Sequence, residues 1–235
     1  MSEPQLNLFG EPTSAPSIMP TGSPDLPRVQ PTPPPQRPVE AILQAGAAAC
    51  AVCQRCDLYR EATKSVYGQG NPHTRLMLIG EGPGAQEDAQ GLAFVGQAGQ
   101  LLTKILASVG FDREQDCYIT NVVKHRPPGN RVPTPEEMAA CRPYLDEQIE
   151  AIQPRIILLL GATALKGVLD RTGITKLRGE WIQADGRWYM PVFHPSFLLR
   201  NASREPGSPK WLTWQDMRKV RRKYDELTGA AKESL

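Results

Sequence analysis

Arg75-Leu76-Met77-Leu78-Ile79 runs directly into Gly80-Glu81-Gly82-Pro83-Gly84-Ala85-Gln86-Glu87-Asp88, and soon afterwards comes Phe94-Val95-Gly96-Gln97-Ala98-Gly99. The opening apolar run is short and ends at turn residues, so it reads as a fully buried strand. Gln100 to Ala107 then carry apolar residues at helical spacing. Between them lies a long strand-to-helix connection bearing carboxylates and an aromatic. Its glycines allow a sharp turn and the close approach of a ligand. A glycine-rich turn alone is weak evidence, since an ordinary βα turn with solvated acids looks similar. The rest of the chain has to decide.

Downstream, strand and helix patterns alternate. Cys117 to Val123 is a second apolar strand and Pro135 to Ile152 a helix, while Arg155 to Leu160 is a third strand, followed by Gly161 and another helix. Gly179 to Ile182 and Trp188 to Met190 flank Asp185-Gly186, a hairpin signal. The second arm continues through Pro191-Val192-Phe193 to His194-Pro195-Ser196. This alternation predicts an α/β fold, a three-layer α/β/α sandwich around a central, mostly parallel four-stranded sheet. Ligands of such sheets bind beyond the carboxyl ends of the strands. There the sequence delivers Glu81, Asn121 and His194, a carboxylate, an amide and an imidazole.

The 235 residues suit one domain plus a tail. Residues 1–40 are rich in Pro, Ser, Thr and Gln, without apolar periodicity, and are expected to be disordered. The domain is expected over 41–228, with 229–235 as a short tail. No run is long and apolar enough to span a bilayer, and Met1 is not followed by a basic and then apolar segment. A soluble, cytoplasmic protein is expected, and no feature suggests an oligomer. The formal net charge of +2 excludes a globally basic surface, so any nucleic-acid contact must be a local patch. Arg200, Arg204, Lys210 and the run from Arg218 to Lys223 are the most basic part of the chain.

Five cysteines are present, and Cys50, Cys53 and Cys56 form two overlapping Cys-x-x-Cys pairs. That spacing points to metal or cluster ligation rather than disulfides. His125 and Cys141 are candidate partners, and the set suits zinc or an iron–sulfur cluster. Cys117, inside an apolar strand, reads as a buried thiol.

Taken together, Gly80–Asp88, Phe94–Gly99, Thr120–Lys124, Arg126-Pro127-Pro128 and His194–Arg200 resemble the type 4 uracil-DNA glycosylases, the iron–sulfur members of the uracil-DNA glycosylase superfamily. The resemblance runs from about Cys53 to Trp214. It implies excision of uracil from DNA without a catalytic metal. Phe94 would stack on the flipped base, Asn121 would read its N3–O4 edge, and His194 would hydrogen-bond O2, with backbone N–H groups near Gly82 adding to this. Glu87 matches the position associated with water activation, and Glu81 would line the same pocket. Leu198, Leu199 and Arg200 look like the wedge that fills the gap in the duplex. The implied cofactor is a 4Fe-4S cluster on Cys53, Cys56, His125 and Cys141, with Cys50 as a spare and zinc as the alternative.

His125 departs from the family, which usually has cysteine there. It is similar to a related X-type branch that is trapped covalently on uracil-DNA through a loop histidine. Such proteins carry Gln where this chain has Gly82. Residues 126–133 contain no histidine, so turnover is the expectation and a non-catalytic or trapping uracil-DNA binder is the alternative. Finally, Gln5, Leu6, Leu8 and Phe9 resemble the short peptide by which bacterial proteins dock on the polymerase sliding clamp.

Overall fold

The computed structural model describes residues 38–229. The clamp-like residues Gln5, Leu6, Leu8 and Phe9 lie outside them, as does the expected tail except for its last three positions. Of those, Val39 and Glu40 already form the first turn of a helix.

In chain order the elements are α1 (Val39–Ala51), β1 (Gln69–Gly70), β2 (Leu76–Gly80), α2 (Ala85–Gln90), α3 (Gln97–Ala107), β3 (Cys117–Asn121), α4 (Pro135–Ile152), β4 (Ile156–Leu160), α5 (Ala162–Leu169), α6 (Ile174–Leu177), β5 (Ile182–Ala184), β6 (Arg187–Val192), α7 (Pro195–Leu199) and α8 (Pro209–Thr228). They build one sheet in the order β1-β3-β2-β4-β6-β5. The inner four strands are parallel, and the short edge strands β1 and β5 pair antiparallel to β3 and β6. The expected parallel four-stranded core is present, extended at each edge. The hairpin between β5 and β6 turns at Asp185 and Gly186, both with positive φ.

Each inner strand is apolar throughout because both faces are covered. Successive side chains alternate across the sheet. Met77 and Ile79 pack with Leu43 of α1, Leu145 and Ile149 of α4 and Leu165 of α5. Leu76 and Leu78 pack on the other face with Leu102 and Leu106 of α3 and Met217 and Val220 of α8. Those two clusters are the three-layer sandwich. α4 starts where its sequence dictates: Glu137 N–H donates to Thr134 Oγ1 at 3.2 Å and Thr134 N–H to Glu137 Oε2 at 2.8 Å, with Pro135 at the first helical position.

The register aligns the strand ends. Gly80 lies opposite Asn121, and Leu160 opposite Val192. The chain leaves β2 toward β3 on one side, and leaves β4 toward β6 on the other. A crevice therefore opens between the ends of β2 and β4, where the connections diverge. No helix among the described residues is long and apolar enough to cross a membrane.

Candidate active site

The crevice encloses about 330 Å³ and is lined by Glu81, Glu87, Phe94, Asn121, His194 and Arg200, among others. Asn121, the last residue of β3, is 1% exposed, and its Oδ1 is buried with no hydrogen-bond partner among the described residues. An unpaired buried acceptor costs roughly 1–3 kcal/mol. Such a group on a cavity wall is one that a ligand satisfies.

Phe94 forms another wall and has a left-handed backbone, φ 52°. That conformation is strained for a bulky residue and persists only where its surroundings hold it. Two side chains do so. Glu87 Oε1 accepts from Val95 N–H and Gly96 N–H, each at 2.8 Å, and Glu87 Oε2 accepts from Gly84 N–H at 3.1 Å. Arg113 donates to the carbonyls of Phe94 at 2.7 Å and Ala93 at 2.6 Å. Glycines leave space for the ring and its peptide. A Cβ on Gly80 would sit 2.5 Å from both Asn121 Oδ1 and Phe94 Cζ, and one on Gly99 would sit 1.8 Å from the Phe94 carbonyl oxygen.

His194 caps α7. Its Nδ1 accepts from Ser196 N–H at 3.1 Å and lies 2.8 Å from Ser196 Oγ. An Nδ1 that accepts carries no proton, so the neutral ring bears its hydrogen on Nε2. Burial, reinforced by the Arg200 charge and only partly countered by Glu87, lowers its pKa to about 4. The imidazole is thus a neutral donor near pH 7. Its ring centre is 5.8 Å from that of Phe94, tilted by 36°. Across the crevice, Thr163 of α5 donates its hydroxyl hydrogen to Glu81 Oε2, joining the ends of β2 and β4.

An aromatic wall, an unpaired amide and a neutral imidazole donor at the end of a parallel sheet suit a flat heterocycle. The uracil DNA glycosylase superfamily model matches residues 67–218. The chain belongs to that superfamily. It is similar to a type-4 uracil-DNA glycosylase of Thermotoga maritima, 52% identical over 158 residues, covering 65% of this chain and 81% of the relative. A type-4 uracil-DNA glycosylase of Archaeoglobus fulgidus is 43% identical over 157 residues, 63% of this chain and 78% of that protein. A type-5 uracil-DNA glycosylase of Pyrobaculum aerophilum is 34% identical over 185 residues, 66% of this chain and 81% of its own.

For a uracil-DNA glycosylase superfamily fold, the structure brings together Glu81, Gly82, Glu87, Phe94, Asn121 and His194 as anticipated. The wedge needs correction. Leu198 is 1% exposed, inside α7, whereas Leu199 is 43% exposed and Arg200 is exposed and lines the crevice. Adjacent residues on a helix point about 100° apart, so Leu198 can pack inward while Leu199 faces solvent. Leu198 is a core residue, and the exposed pair is Leu199 and Arg200.

Four of the cysteines lie where α1, the turn after it and α4 meet. Cys50 and Cys141 are buried, with the half-buried Cys53 and Cys56 packed against the same core. Burial first, and the neighbouring thiols second, push the Cys50 thiol up to about 12. Burial also raises Cys56 and Cys141. Buried thiols with raised pKa values stay protonated unless a cation displaces the proton, so only the soft sulfur and imidazole donor types of Cys53, Cys56, Cys141 and His125 suit a thiolate-bound centre. His125 is buried and lines a small cavity with Cys53. Among the described residues, no group of three or more His, Cys, Asp or Glu side chains is arranged as a closed metal site.

Sequence reasoning missed Arg113, Thr163 and Lys124. The last has no exposure, and its Nζ donates to Asn121 O at 2.8 Å, Thr120 Oγ1 at 2.7 Å and Gln148 Oε1 at 2.7 Å. Its own N–H donates to Cys141 Sγ at 3.2 Å. A lysine directly after the apolar run that ends at Val123 was the available signal.

Proposed function

We infer that the protein excises uracil from DNA, hydrolysing the N-glycosidic bond of deoxyuridine and leaving an abasic site for repair. The observation that carries this reading is the unpaired Oδ1 of buried Asn121 facing the same crevice as a neutral His194. The target nucleotide leaves the stack to reach them. Uracil stacks on Phe94. Asn121 Oδ1 accepts from uracil N3–H and its amide nitrogen donates to O4. Cytosine reverses both roles and is rejected.

As the bond breaks, its electrons leave with the base and charge develops on O2. His194 Nε2–H donates there, an electrostatic contribution of about 3 kcal/mol for a well-placed donor. Because the ring is already neutral, it stabilises the uracil anion by a hydrogen bond and gives up no proton. Positive charge on the sugar is offset by the carboxylates, and a water completes the hydrolysis at the anomeric carbon. Glu87 is engaged by three backbone N–H groups. Glu81 has one partner, Thr163. The difference in free lone pairs supports Glu81 as the group that orients the water, with Glu87 holding the Phe94 wall.

Residues 41–228 form the catalytic domain in this reading. Leu199 and Arg200 enter the duplex, where an apolar wedge with a basic neighbour stabilises an unstacked step. Cys53, Cys56 and Cys141, with His125 as fourth ligand, hold a 4Fe-4S cluster, zinc being the alternative occupant. Such a centre, when bound, would link the turn after α1, the loop after β3 and α4. Gln5, Leu6, Leu8 and Phe9 would tether the enzyme to the sliding clamp.

The test uses end-labelled DNA with one uracil, alkali treatment and a denaturing gel. Cleavage at uracil and not at thymine is expected. An intact strand, or a band resistant to denaturant, would overturn the reading.

A further inference from the structure

A second cavity, of about 440 Å³, lies beside the crevice. Leu101 of α3 and Leu198 of α7 are apolar lining, Trp211 and Trp214 come from the first turns of α8, and Lys104, Arg204 and Lys210 also line it. No carboxylate does. Trp214 is 42% exposed, an unusual setting for an indole, and the Arg218 guanidinium lies over its ring at 4.8 Å.

Two helices join this cavity to the crevice. α3 presents Ala98 to the crevice and Lys104 to the second cavity. At 1.5 Å per residue the two positions are about 9 Å apart along the axis, roughly three stacked nucleotides at 3.4 Å. α7 turns Ser196 and its flanking Arg200 toward the crevice and Leu198 toward the second cavity. Indoles and an apolar lining beneath a cationic rim are what a nucleobase and its phosphates require: the base stacks, and the phosphates pair with lysine and arginine.

We propose that this cavity is a second nucleobase site, taking an unpaired base of the same DNA strand a few nucleotides from the one excised. The proposal rests on the reading of the crevice as the uracil site. The second base is then an unpaired neighbour on the strand that carries the lesion, beyond the step opened by Leu199 and Arg200. An acidic peptide with apolar anchors would share the charge complementarity. Continuity with the crevice through α3 and α7 favours the DNA strand.

The test is a set of single-stranded oligonucleotides with uracil at a fixed position and one abasic residue moved through the neighbouring positions. Excision is followed in single turnover at subsaturating enzyme. One position within about four nucleotides of the uracil should slow wild-type excision roughly tenfold, the scale of one lost base–aromatic stack. In Trp214→Ala the intact oligonucleotide should be cut at that same reduced rate, with no further loss at the sensitive position. Trp214→Phe should restore the dependence. A flat scan in the wild type, or an unchanged profile in Trp214→Ala, would overturn the proposal. Displacement of Trp214 contacts by a short acidic, aromatic peptide alongside a flat scan would assign the cavity to a protein partner instead. Absence of excision from every oligonucleotide would refute the crevice reading alone, and base-scanned binding of the same oligonucleotides would then decide the second site.

Discussion

Lys124→Met separates two roles of one side chain. The ammonium is fully buried and burial holds its pKa down, to about 8, so it is largely charged at pH 7 with three donors in use. Methionine fills a similar length and removes the charge and all three donors. Gln148 Oε1 keeps the Thr120 hydroxyl at 3.1 Å, while the Asn121 carbonyl loses its Nζ partner. A hydrogen bond from a charged donor contributes roughly 1.5–3 kcal/mol. Relief from burying an ammonium is worth on the order of several kcal/mol in the opposite direction. These contributions oppose one another, so global stability should change by much less than the three lost bonds together would contribute. The local consequence has no such offset. In the proposed pocket the Asn121 carbonyl fixes the peptide that would aim the amide at the base, and losing one aligned hydrogen bond in the transition state would cost about 1–3 kcal/mol, roughly 10–100-fold in kcat/KM. Urea denaturation and single-turnover uracil release on the same preparations measure both. A kcat/KM within twofold of wild type, or an activity loss that merely tracks unfolding, would refute the argument.

If Asn121 reads the base as proposed, Asn121→Asp removes the donor to uracil O4 and supplies an acceptor for the cytosine amino group. Uracil release should fall roughly 10–100-fold and rejection of cytosine should weaken; wild-type rates with full rejection, measured on matched oligonucleotides, would show the edge is read elsewhere. With the His194 pKa lowered to about 4, the folded protein leaves the ring neutral where the unfolded chain protonates it. Stability contributed by this group is therefore present above about pH 6.5 and is lost as pH falls toward 4, by about 3 kcal/mol at most. The acid limb of kcat/KM from His194 should accordingly lie near pH 4, and a limb at pH 6.5 would contradict the neutral-donor role. For the thiol cluster, elemental analysis should find metal retained in Cys50→Ser and lost in His125→Ala; the reverse ranking would place Cys50 in the ligand set.

The parallel core was legible because each inner strand is an uninterrupted apolar run between turn residues, and α4 because Thr134, Pro135 and Glu137 write its start into the sequence. β1 was not, since Gln69-Gly70 has no pattern and becomes a strand only by lying along β3. Asn121 and His194 were legible as polar residues at strand ends. The partners that position the site were not. Arg113 reaches Phe94 across 19 positions and Thr163 reaches Glu81 across 82, and no local periodicity records such pairings. The difference between Leu198 and Leu199 was not legible either: two consecutive leucines on a short helix look equivalent in sequence, and packing against α3 decides which one is buried. Glu87 illustrates another limit: the sequence marks it as a pocket carboxylate, but its contact with three backbone N–H groups is visible only in the fold.

His194 caps the helix that carries Leu199, and in the proposed mechanism it is also the donor to the departing base. On that reading, chemistry and strand opening are geared through one ring. Replacing that ring by alanine removes a helix cap worth about 1 kcal/mol together with the catalytic hydrogen bond. The resulting rate would report a loosened wedge as well as a missing donor. Asparagine, which also caps helices well, would keep the gear engaged while changing the donor, so the ratio of the two variants' rates isolates the mechanical share of catalysis.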